Sequence, residues 1–288
     1  MSLQHTTSEA PKKGDAHGIC VALGAGGARG FAHILVVEAM DELGLRPKAI
    51  AGASMGAVVG AAWAAGLPAK EMRQHVLKLL GSRADVMSRV LMCRVGRFAD
   101  LFAGQFQNQM LLDGERILDL FWPKAVPDRF EDLAIPFTAV ATDFFGRSAR
   151  RFAHGPLAPA VAASMAIPGL IKPIEIQGMV LIDGGATDPL PYRPLVGNGD
   201  FVIACDVTGG PPPEAKTMPS TFETMFGAAQ IMQGSITAEM LKVARPDLLL
   251  RPNVDRYRAL DFFYAAEILT ASEPLKDEIK RALELRLG

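Results

Sequence analysis

Cysteine is scarce in this chain, and the three present among 288 residues, Cys20, Cys93 and Cys205, lack the close pairing of a zinc site or a disulfide framework. They read as small core residues of a protein in a reducing cytosol, so a cytoplasmic location is expected. Charge of one sign is missing as well: 30 Lys and Arg stand against 31 Asp and Glu, for a net charge of −1. With no basic field and no clustered Lys/Arg stripe, nucleic acid is not expected as a partner. Met1 to His17 carries no apolar stretch of the kind a signal peptide needs, and reads as a flexible or disordered tail. The longest apolar run, Ala49 to Leu67, is interrupted by Ser54 and four glycines and is richer in alanine than in leucine. It is expected to be a buried core helix rather than a transmembrane one.

What is present points to a folded core: 49% of residues are hydrophobic. Apolar runs and helical segments alternate. A strand is expected near Gly18 to Leu23, a helix near Arg29 to Leu43, a strand before Gly52, and a helix after Ser54, which implies α/β with a mostly parallel central sheet flanked by helices. Pro68 opens a further helix to about Leu80. Ser82 to Phe106 then loses clear periodicity, mixing methionines and arginines, and reads either as core with a solvated face or as an amphipathic flap over an apolar-substrate site. Strands are expected at Ile135 to Ala141, Ala149 to Ala153, Val180 to Ile182, Phe201 to Cys205 and Leu248 to Leu250. Helices are expected at Leu157 to Met165, Thr221 to Val243 and Phe262 to Leu287, with Gly209 to Ser220 as a loop or hinge. No internal repeat and no boundary interrupts residues 18–288, so one domain is expected, with its motifs within 18–206 and a helical part over 221–288.

Gly52-Ala53-Ser54-Met55-Gly56 has the G-x-S-x-G form that presents a nucleophilic serine on a strand-to-helix turn, where small neighbours allow the strained approach of strand and helix. Ser54 as a plain N-cap is the simpler alternative. Upstream, Leu23 to Gly30 is a glycine-rich turn between a strand and a helix, whose amides can converge on an oxyanion. A dinucleotide site would use such a turn too, but it requires a carboxylate at the end of the second strand, and that strand runs into Ala51-Gly52-Ala53-Ser54. A serine also needs a base. The five histidines are His5, His17, His33, His75 and His154, so no late histidine completes an α/β-hydrolase triad. Asp183 is the leading candidate, because the apolar strand Val180 to Ile182 delivers it to a Gly-Gly turn where partial desolvation can raise its pKa. Asp143, Asp188 and Asp206 are rivals.

Together these motifs resemble the patatin-like phospholipase family, in particular its short bacterial members. The likeness rests on the glycine turn ending in Arg29-Gly30, on G-x-S-x-G, and on Asp183-Gly184-Gly185. It continues through Phe31-Ala32-His33-Ile34, Ile135-Pro136-Phe137, Ala141-Thr142-Asp143 and Ala163-Ser164-Met165-Ala166-Ile167-Pro168-Gly169, and covers roughly Gly18 to Asp206. The resemblance implies a patatin-like three-layer fold and a Ser-Asp dyad: Ser54 as nucleophile, Asp183 as base, Gly26, Gly27 and Ala28 as oxyanion-hole amides, Arg29 bracing that loop. His33 is not implied in catalysis. Two positions depart from the pattern: Ala25 stands where a glycine is usual and would strain the loop if its φ were positive, and Asp188 replaces an asparagine, which alters charge near the base.

The expected function is lipid acyl hydrolysis, of phospholipase A, lysophospholipase or carboxylesterase type, through an acyl-serine intermediate and without metal or organic cofactor. The implied partner is a lipid or ester substrate, with any membrane contact peripheral and through Ser82 to Phe106; oligomeric state is open. A non-catalytic lipid-binding or regulatory protein on the same fold, or a lipid transacylase, are the alternatives.

Overall fold

The first strand, β1 (Ile19–Leu23), is buried at every position, as a strand covered on both faces must be. Its alternate side chains enter different layers. Ile19, Val21 and Leu23 join a large apolar cluster, whereas Cys20 and Ala22 pack with Leu190, Tyr192 and Met240 on the opposite face. The computed structural model describes residues 18–94, 111–197, 200–210 and 218–287. The tail expected over Met1 to His17, part of the 82–106 segment and part of the loop after Gly209 lie outside the described residues.

Beside β1 runs β2 (Ala49–Ala53), parallel, followed outward by β3 (Phe137–Asp143), also parallel. On the other side of β1 lie β7 (Phe201–Cys205) and β8 (Leu248–Leu250), parallel again. The β3 edge is different: β4 (Ser148–Phe152), β6 (Met179–Asp183) and β5 (Ile174–Ile176) are added there by antiparallel pairing. The result is one α/β domain with a central, mostly parallel sheet flanked by helices.

The large cluster receives side chains from α1 (His33–Glu42), α2 (Met55–Ala64), α3 (Ala69–Leu79), α6 (Leu157–Ser164), α8 (Ala265–Ala271) and α9 (Pro274–Leu287), while α7 (Thr221–Val243) contributes Met240 to the other face. Burial of a Leu or Val side chain stabilises by about 1.5–3 kcal/mol, and that is what holds the layers together. The apolar run Ala49 to Leu67 resolves into β2, the serine turn and α2. Among the described residues no helix is long and apolar enough to cross a membrane.

Several elements differ from expectation. The helix placed at Arg29 starts as a 3-10 segment, Gly27–Ala32, before α1. The single C-terminal helix is two, because Pro274 has no N–H to continue α8 and instead opens α9. Helix α4 (Arg83–Met92) lies where periodicity looked lost. Its Val86 is buried while Met87, Leu91 and Met92 are exposed, so apolar residues on more than one face blur the 3.6-residue period. Helix α5 (Gly114–Phe121), capped by Asp113, and the three-residue β5 were not foreseen. All three cysteines are buried and free.

Candidate active site

Strand β3 sets the geometry. Its residue Val140 pairs with Ala53 of β2, and the next residue, Ala141, pairs with Asp183 of β6. Ser54, one step beyond Ala53, therefore stands level with Asp183 on the opposite flank of β3. The two side chains close the gap: Ser54 Oγ donates to Asp183 Oδ2 at 2.7 Å. Both residues are buried.

Ser54 sits at φ 54° and ψ −123°, off the regions that L-residues favour. A conformation of this kind stores about 1–3 kcal/mol and persists only when its surroundings enforce it. Enforcement is visible at the flanking glycines. A Cβ on Gly52 would collide with the Gly56 carbonyl, and one on Gly56 with the Leu23 carbonyl, so β1, the turn and α2 touch backbone to backbone. The Ser54 amide is held by Ser164, whose Oγ accepts it at 2.9 Å and donates to the Val140 carbonyl at 2.6 Å.

Asp183 is fixed at both ends. Its Oδ1 accepts the Gly185 amide at 2.7 Å, its own amide donates to the Ala166 carbonyl at 2.9 Å, and its carbonyl accepts Thr142 Oγ1 at 2.9 Å. Burial pushes its carboxyl up to about 6, against the opposing hydrogen bonds from Ser54 and Gly185. The rivals are engaged elsewhere. Asp143 caps its own hairpin turn, and the Gly146 amide together with Arg150 holds it below the ordinary value. Asp206 takes the Thr208 amide and Arg251, and Asp188 pairs with Arg151 at 3.0 Å, so the extra charge at 188 has a counter-ion.

No described histidine bonds to Ser54. His33 is fully buried, donates from Nε2 to the Gly24 carbonyl at 2.8 Å, and is driven down to about 4 by burial. His75 donates to the Phe121 carbonyl at 2.8 Å.

The glycine turn closes over the same region. Gly27 has φ +58°, and a Cβ there would strike the Ala259 carbonyl. Among the described residues the Gly26 and Gly27 amides have no hydrogen-bond partner, whereas the Ala28 amide donates to the Ala259 carbonyl at 2.8 Å. Of the three amides expected in an oxyanion hole, Ala28 is thus committed elsewhere. Ala25 does not adopt positive φ; it packs against Ala53 and Val140, and the strain anticipated there is absent. Arg29 is completely buried against Gly209, makes no hydrogen bond through its guanidinium to any of the described residues, and is lowered to about 10 by burial despite Asp255, Asp261 and Asp206 nearby.

Ser54 and Gly27 open onto a cavity of about 440 Å³ whose walls are almost wholly apolar, including Met55, Val58, Val86, Leu118, Phe121 and Trp122 from α2, α4 and α5 and the turn after α5. Sequence reading missed this lining apart from α4, and it missed Ser164 and Thr142. Both lay inside segments quoted for the family likeness, Ala163 to Gly169 and Ala141 to Asp143, but nothing local marks either hydroxyl as facing a site.

The site thus joins a mostly parallel α/β sheet, a strained serine after one inner strand, and a carboxylate hydrogen-bonded to it from an added antiparallel strand. The patatin-like phospholipase family profile matches residues 21–196, and the chain belongs to that family. It is 43% identical over 192 residues to an uncharacterized NTE family protein of Mycobacterium bovis, a match covering 66% of this chain and 49% of that protein. It is 32% identical over 192 residues to patatin-like phospholipase domain-containing protein 6 of Homo sapiens, covering 66% of this chain and 13% of the other. The lysophospholipase NTE1 of Cryptococcus neoformans is 32% identical over 187 residues, 64% of this chain and 11% of that protein. The chain thus spans about half the length of its mycobacterial relative and a small part of the eukaryotic ones. Among solved structures, VipD from Legionella pneumophila aligns over 89% of this chain and 67% of its own, at a TM-score of 0.45 and 16% identity.

Proposed function

We propose that this protein is a serine lipid acyl hydrolase of phospholipase A, lysophospholipase or carboxylesterase type. The observation that carries the reading is the 2.7 Å hydrogen bond from Ser54 Oγ to the buried Asp183 carboxylate, at the edge of a 440 Å³ apolar cavity. Ser54 attacks the ester carbonyl as Asp183 takes its proton, the freed alcohol leaves with that proton, and Asp183 then deprotonates the water that releases the acyl chain. The amides of Gly26 and Gly27 receive the oxyanion; losing one such donor raises a barrier by about 3–4 kcal/mol. Buried Arg29 acts on the loop from behind. The almost wholly apolar walls of the cavity suit the acyl chain of a lipid ester.

Contact with the lipid surface is proposed to be peripheral and through the outer side of α4, where Leu91 and Met92 are 48% and 64% exposed while Val86 and Val90 line the cavity. The test compares wild type with Ser54→Ala and Asp183→Asn on a lysophospholipid and on a short-chain aryl ester, alongside labelling by a fluorophosphonate. Both variants should lose activity by several orders of magnitude, and only wild type should be labelled at residue 54. Full activity in either folded variant overturns the dyad, and an unreactive wild type favours a non-catalytic lipid binder.

A further inference from the structure

Helix α6 ends at Ser164, a residue with no exposed surface, and the three residues from Ser164 to Ala166 touch the main chain of both members of the pair. Ser164 Oγ accepts the Ser54 amide at 2.9 Å, and the Ala166 carbonyl accepts the Asp183 amide at 2.9 Å. The hydroxyl proton goes to the Val140 carbonyl at 2.6 Å, which ties the arrangement to β3, the strand between them. Ser54 leaves strand geometry at φ 54°, so its amide finds a side-chain acceptor rather than a rung of the β2–β3 ladder. A buried amide of this kind must be paired.

We infer that Ser164 is a positioning residue: its hydroxyl holds the Ser54 amide, and with it the strained turn, at the height where Ser54 Oγ meets Asp183. The inference rests on the proposed roles of Ser54 and Asp183. It departs from a purely structural hydroxyl in what it affects. A misplacement near 1 Å costs about 100-fold in rate when the reacting geometry is tight, and leaves binding of the acyl chain in a preformed cavity unchanged.

The experiment measures kcat and KM on a short-chain aryl ester, the rate of fluorophosphonate labelling, and the melting temperature for wild type, Ser164→Ala, Ser164→Cys and Ser164→Thr. Ser272→Ala is the control for stability, since Ser272 is equally buried and bonds the Ile268 carbonyl at 2.8 Å in the turn between α8 and α9. Ser164→Ala is expected to lower kcat and the labelling rate about 100-fold with KM within about threefold. Threonine keeps the acceptor and should restore most of the rate, and cysteine, a weaker acceptor, should fall between and serves if the alanine variant does not fold. Ser272→Ala should lose a similar few degrees of melting temperature with unchanged kcat. A folded Ser164→Ala that is labelled and turns over as fast as wild type overturns this inference alone. A wild type that the probe does not label overturns the Ser54–Asp183 reading, and this inference with it.

Discussion

Ser54 and Asp183 are 129 positions apart in the chain, yet they share a 2.7 Å hydrogen bond, because each flanks the same stretch of β3 from an opposite side. Only one of those flanks is parallel. Running antiparallel to β3, β6 enters past the C-terminal end of that strand and comes back along it to end at Asp183, opposite Ala141 and level with the Ser54 turn. Burial at that place outweighs the opposing hydrogen bonds from Ser54 and the Gly185 amide, and leaves the carboxyl with an affinity for protons well above that of a free aspartate.

Activity should therefore titrate. With Asp183 required as the unprotonated base and its pKa raised to about 6, kcat/KM is expected to climb about tenfold per pH unit below 6 and to level off above 7. A profile on the aryl ester between pH 4.5 and 8.5 measures this, and a flat one would count against Asp183 as the base.

The same group bears on stability with the opposite sign. Because its folded pKa is raised from 3.8 to about 6, the folded state binds this proton more tightly than the unfolded chain, so this contribution to stability falls as pH rises through that window. At 1.36 kcal/mol per unit the penalty reaches about 3 kcal/mol above pH 6. Asp183→Asn should abolish activity and, relative to wild type, gain about 2 kcal/mol of stability between pH 4.5 and 8, read by urea unfolding at the two pH values.

Gly27→Ala combines two faults, a Cβ at φ +58° and a collision with the Ala259 carbonyl. It is expected to cost roughly 2–4 kcal/mol of stability and, in the folded fraction, to lower kcat at least tenfold as the turn shifts away from Ser54. Thermal melts beside active-site titration separate the two effects.

Val86→Phe should shorten the cavity from its α4 wall without touching Ser54. Each methylene denied burial forfeits about 0.8 kcal/mol, so the preference for a long-chain over a short-chain ester should fall by about tenfold or more while short-chain turnover stays within a factor of about two. A matched series of aryl esters of increasing chain length reads this directly.

Exposed Leu91 and Met92 on α4 make vesicle binding separable from chemistry. The double change Leu91→Glu and Met92→Glu should reduce sedimentation with phospholipid vesicles severalfold and leave hydrolysis of a soluble aryl ester unaltered.

How far the site could be read in advance varied by residue. Gly52 and Gly56 announce a turn because only glycine tolerates the collisions found there, and the unbroken apolar β1 announces a strand buried on both faces. Asp183 was separable from Asp143 and Asp188 only by its Gly-Gly turn; all three are nearly buried, and what distinguishes them is that Arg150 and Arg151 neutralise the other two. A glycine turn does not reveal which of its amides another loop will occupy, as the carbonyl of Ala259 does that of Ala28. Helix α5 went unseen, and the cavity's other walls with it, since an apolar helix stripe facing a hollow carries the same pattern as one facing a packed core.

By itself, then, the sequence determined the strand-to-helix turn at Ser54, the glycine turn after β1 and the order of the elements between them, because these follow from sterics among near neighbours. Tertiary structure alone decided that Asp183 would be the carboxylate within reach of Ser54, that Ser164 would receive the Ser54 amide, and that the space beside Ser54 would stay open. Those outcomes depend on strand register, where a slip of one residue along β3 would turn Asp183 to the other face, and on packing between helices far apart in the chain.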